Sequence, residues 1–152
     1  MICSIAAPLN SQHSTLNTQL LTMHLDKSIL KQKFQEYNQL YFNGELPMPI
    51  FSLIHSDRLA GQFCARWGRR NGVLQLMRKE IQIVENIQWT ENELRAVMVH
   101  EMIHYYVELR KKKPKREGDF QHWGLFWWMK LRLNWRYHLG IRNSASHLQL
   151  TS

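Results

Sequence analysis

A chain of 152 residues that is 44% hydrophobic and 11% aromatic can bury one substantial core, and one domain is the expectation. Its two cysteines, Cys3 and Cys64, exclude a disulfide framework and a four-cysteine zinc ribbon, and they fit a reducing, cytoplasmic setting. The net charge of +8 calls for an anionic partner or serves solubility alone, and no apolar run approaches a membrane span.

Residues 1–22 read as a polar, disordered leader or an upstream-start extension, because their short apolar patch lacks a basic flank. Residues 23–142 form the expected domain, and 143–152 a polar tail. From Leu25 to Phe42, the positions Ile29, Leu30, Phe34, Tyr37 and Tyr41 recur at helical spacing, and Asn43-Gly44 ends the run. PIFSLIH, from Pro49 to His55, and GQFCARWG, from Gly61, read as strands. Asn71-Gly72 marks a two-residue hairpin leading into VLQLM, and EIQIV at Glu80 reads as a further strand.

Thr90 with Glu93 three residues on is a capping box, and it opens a helix from Glu91 to about Arg110. The apolar side chains of VMVHEMIHYYVEL, Val97 to Leu109, occupy nearly the whole circumference, so this helix belongs in the middle of the domain. Two imidazoles and a carboxylate cannot be buried there unpartnered without a large cost. His100 and His104 stand one turn apart on one face, with Glu101 on its flank. That spacing gives two corners of a zinc site, with Glu101 placed as general base for a water attacking a peptide carbonyl. The bland alternative is a pair of satisfied core histidines.

A third ligand must come from elsewhere, and Glu108, Glu117, Asp119, His122 and His138 are the downstream candidates. Glu108 lies two turns past His100, too far along the axis. Glu117 and Asp119 end the basic run RKKKPKRE, where Asp119 suits a helix cap. His122 opens a stripe with Phe126, Met129 and Leu133, spaced four, three and four, and is the preferred ligand.

Four stretches together resemble the SprT-like zinc metalloproteases: YFNGELP at Tyr41, GQFC at Gly61, VHEMIHYYV at Val99 and DFQHWGLFWWMKLRLN at Asp119. The resemblance covers about Leu25 to Tyr137. It implies an α+β, zincin-like domain with an N-terminal helix, a small sheet containing antiparallel strands, a central HExxH helix and a C-terminal helix. It further implies Zn2+ on three histidines, here His100, His104 and His122, a glutamate base, here Glu101, and proteolysis of proteins, in some members those crosslinked to DNA. Two departures stand out: Trp123 separates His122 from Gly124, and no cysteine-rich ribbon follows the domain.

Without that ribbon, DNA contacts would fall to Arg66, Arg69 and Arg70 around the hairpin and to Lys111, Lys112, Lys113 and Lys115 after the central helix. Tryptophans among and after these groups could stack on bases. The non-enzymatic rival is a DNA-associated adaptor with a structural zinc site. A monomer without membrane association completes the expectation.

Overall fold

The computed structural model describes residues 2–3, 7–8, 22–111 and 120–141, with the side chains of Ile2, Ala7, Pro8 and residues 120–123 outside that description. In chain order its elements are β1 (Ile2–Cys3), β2 (Ala7–Pro8), α1 (Lys27–Phe42), β3 (Ile50–Ile54), β4 (Leu59–Arg70), β5 (Val73–Val84), α2 (Glu91–Leu109) and α3 (Phe120–Tyr137). This is the α+β arrangement that the sequence predicts. Among the described residues, no helix is long and apolar enough to cross a membrane.

Helix α1 starts at Asp26, whose carboxylate accepts from the Ile29 N–H at 2.8 Å. It stops at Asn43, where a φ of 53° takes the backbone into the left-handed region that ends helices. The buried Asn38 amide secures the turn that follows, donating to the Leu46 carbonyl at 2.8 Å and accepting from its N–H at 3.1 Å. The YFNGELP stretch is therefore a fixed loop.

Strands β4 and β5 form an antiparallel hairpin across Asn71 and Gly72, both at positive φ, and β3 adds in parallel along the outer edge of β5. VLQLM and EIQIV, expected as separate strands, are one. Arg78 and Lys79 carry the ladder through by pairing with Arg66 and Ala65, and a bulge absorbs Met77 between Leu76 and Arg78. The half-exposed sheet face accommodates their charge. The buried Glu80 stitches β3 to β5, accepting from Ser52 Oγ at 2.5 Å and pairing with Arg78 at 2.7 Å.

Four residues of the expected disordered leader sit on this sheet. Ile2–Cys3 and Ala7–Pro8 pair antiparallel with the free edge of β4. Backbone groups on an open strand edge provide that affinity, which side-chain composition does not register. The register places Cys3 opposite Cys64, and a disulfide joins them, although the sequence held no disulfide framework. The rest of residues 1–21 and the tail from 142 onward lie outside the described residues.

Helix α2 lies across β4 at very short range. A Cβ at Gly61 would stand 2.9 Å from Val97 Cγ1 and 3.1 Å from the Gln82 carbonyl, so this strand needs glycine there for the helix to settle. Further along, Phe63 meets Tyr105 with ring centroids 5.2 Å apart. The sheet thus fixes both the height and the rotation of the helix that carries the histidines.

Candidate metal centre

The capping box that opens α2 is formed: the Glu93 N–H donates to Thr90 Oγ1 at 3.3 Å, and the Thr90 N–H donates to the Glu93 carboxylate at 3.0 Å. From there the helix is buried on nearly every side, as its sequence requires, by Leu94, Met98, Val99, Met102, Ile103 and Val107. His100 and His104 are 4% exposed and Glu101 0%. The two imidazole centroids lie 5.1 Å apart, the separation expected of side chains one helical turn apart.

Helix α3 closes this face. Phe126 stacks on His104 at 4.1 Å and meets His100 edge-on at 5.5 Å. Phe126, Met129 and Leu133 are all buried, so these three members of the predicted stripe face the core. His122 lies in the first turn of α3, four residues before Phe126, and its side chain lies outside the described residues. His138 is exposed, beyond the end of α3 and at a φ of 50°.

Around the histidines, other α2 side chains are held by named partners. Tyr105 donates its hydroxyl to the Pro47 carbonyl at 2.8 Å, and burial raises its pKa above the ordinary phenol value. Glu108 is buried, accepting from Trp67 Nε1 at 2.6 Å and from Lys111 Nζ at 2.6 Å. Lys111 is thereby engaged in the protein itself, and so is Arg110, which pairs with Glu45 at 2.9 Å and covers the Tyr106 ring. Lys112, Lys113, Lys115, Glu117 and Asp119 lie outside the described residues.

Chemically, the described donor set is two imidazoles on one buried face with a carboxylate beside them. It suits a borderline cation such as zinc, which takes neutral imidazole nitrogens. Among the described residues no three His, Cys, Asp or Glu side chains gather around one point, so a third protein ligand would have to be one whose side chain is not described. Sequence reasoning passed over two residues here. Phe126 was read only as core, and Lys130, fully buried on α3, was not singled out. The run of four-residue steps from His122 through Phe126 to Lys130 was the available signal.

A helix bearing a buried His-Glu-x-x-His face, laid on a mixed sheet and closed by a second helix, defines a small zincin-like α+β domain. The chain belongs to the SprT-like family, whose model matches residues 30–139, from within α1 to just past α3. No curated protein and no solved structure gives a significant match.

Proposed function

We propose that this chain is a zinc-dependent endopeptidase of SprT type, with His100, His104 and His122 holding the ion and Glu101 as general base. The observation that supports it most is the burial of His100, Glu101 and His104 together on one face of α2. Zinc, when bound, would polarise a peptide carbonyl and bring the pKa of a water towards about 7. The protein's own part is to exclude bulk solvent and orient the imidazoles. Glu101 accepts a proton from the attacking water on a carboxylate oxygen and delivers it to the departing amine.

The substrate class we propose is protein bound or crosslinked to DNA. Arg66, Arg69 and Arg70 are exposed around the hairpin tip. On the outer face of α3, Trp128 is 54% and Trp135 83% exposed, with the Arg132 guanidinium 5.2 Å from the Trp128 ring. Exposed indoles beside guanidinium groups suit stacking bases and phosphates. α3 carries no carboxylate at all between Phe120 and Tyr137.

The test is metal analysis of the purified protein together with a cleavage assay on a basic, DNA-bound protein, with and without the DNA, for wild type and Glu101→Gln. The expected result is about one zinc per chain in both proteins and cleavage in the wild type only. Zinc without any cleavage in the wild type would instead identify a DNA-associated adaptor with a structural site. Equal cleavage by both proteins would remove Glu101 from the chemistry.

A further inference from the structure

Where the carboxyl end of α1 meets α2 and α3 there is a hollow of about 110 Å³, with Tyr41, Glu45, Tyr106, Arg132, Arg136 and Tyr137 in its wall. A water needs about 10–15 Å³ of such space, so a tetrahedral oxyanion fits. Aromatic packing sets the shape: Tyr41 meets Tyr137 edge-on at 4.9 Å, and Phe42 lies 5.8 Å from Tyr106.

The charge in this wall is out of balance. Arg132 and Arg136 stand four apart on α3, hence on one side of it, and both are exposed. Among the described residues neither joins an ion pair, and each guanidinium has only a ring nearby, Trp128 at 5.2 Å and Tyr137 at 5.3 Å. The one carboxylate of the wall, Glu45, is already held by Arg110 at 2.9 Å, and that guanidinium in turn covers the Tyr106 ring at 3.2 Å. Three guanidinium groups therefore surround one carboxylate. Attraction to the carboxyl end of α1 explains cations at this corner, but it does not require a cavity beside them.

We propose that this hollow is a phosphate site, in which Arg132 and Arg136 grip a dianionic phosphate and phenol hydroxyls of the wall add donors. Planar guanidinium forks bind such oxygens in pairs, with a strength that a single ammonium does not match. A phosphate seated there would tie the end of α1 to α3, the helix whose Phe126 covers both candidate histidines. Binding itself is independent of the peptidase reading.

The experiment titrates the full-length chain with inorganic phosphate at constant ionic strength, read by thermal melting and calorimetry, with and without zinc. Phosphate should raise Tm saturably, and by the same amount in both metal states. Arg132→Gln combined with Arg136→Gln should weaken binding by roughly tenfold or more. Arg69→Gln combined with Arg70→Gln, on the hairpin, should leave it unchanged. No saturable rise, an equal rise in the α3 double variant, or a rise that needs zinc would each overturn the proposal. Adenosine 5′-monophosphate and adenosine identify the source. Tighter binding of the monophosphate than of inorganic phosphate would assign the site to a phosphate monoester, and equal binding to the free ion. Adenosine binding as well as its monophosphate would make the ring and not the anion the ligand, and the proposal would fall.

Discussion

Phe126 lies face to face with His104, their ring centroids 4.1 Å apart and their planes 18° from parallel. One face of that imidazole is therefore committed to α3, and its rotation about the side-chain axis is fixed by packing from another helix. Phe126→Ala should cost about 3–5 kcal/mol, the usual range for emptying a buried phenyl site. Zinc affinity should fall as well, because a freed imidazole must be reoriented on binding. Denaturant titration measures the first effect and competition with a chelator the second. Unchanged zinc affinity would mean the ring only fills space.

The third ligand is tested by His122→Ala against His138→Ala. If His122 completes the site, its alanine variant loses zinc affinity by orders of magnitude and regains stability only at high added zinc. His138, exposed past the end of α3, should be silent in the same titration. The opposite pattern would assign the ion to the far end of the helix.

Acid stability should depend on Glu80. Burial alone would raise its pKa, but hydrogen bonds from Ser52, Gln82 and Arg78 prevail and hold it below the ordinary carboxylate value. A group with a depressed folded pKa stabilises the fold above its unfolded value, roughly 4.3, and loses that contribution as pH falls through the folded value. The Tm difference between wild type and Glu80→Gln should therefore be constant from neutral pH to about 5.5 and shrink below about 4. A difference independent of pH down to 3 would show that the carboxylate's charge does not join β3 to β5.

For DNA, the exposed hairpin arginines and Lys111 should separate. Replacing Arg66, Arg69 and Arg70 with glutamine should reduce the salt slope of binding by up to about 2.7, at roughly 0.9 per lost phosphate contact. Lys111→Gln should instead lower stability by about 1–3 kcal/mol by leaving the buried Glu108 carboxylate short of a partner. Fluorescence anisotropy across salt concentrations and thermal melting distinguish the two effects. A flat response of the triple variant would remove the hairpin from any DNA surface.

The legible features were those that a residue's own neighbours in sequence determine. The Thr90 capping box, the helical period of α1, the Asn71-Gly72 turn and the all-round apolarity of α2 each depend on spacings within a few residues, and each is present. The length of β5 was misread because Arg78 and Lys79 look like punctuation until the partner strand supplies Arg66 and Ala65. The seating of Ile2–Cys3 and Ala7–Pro8 depends on an unfilled strand edge far along the chain, at Leu59 to Ala65, which local composition cannot report. At the candidate site, His100, Glu101 and His104 could be picked out from one helix. Phe126 and Lys130 gained meaning only when α3 was laid against that helix.

The parallel pairing of β3 with β5 also bears on the order of assembly. β4 and β5 meet through a two-residue turn, whereas Ile50 must wait for Glu80, thirty positions later, and must add on the far side of a hairpin already made. Loop-closure entropy and contact order therefore favour hairpin first, β3 next and α2 docked on the completed sheet. α3 is then the last piece to arrive. An ion gripped by the two histidines of α2 would be enclosed in that final step. If His122 completes the site, α3 supplies one of the ion's three protein bonds, so metal exchange should keep time with amide exchange in α3.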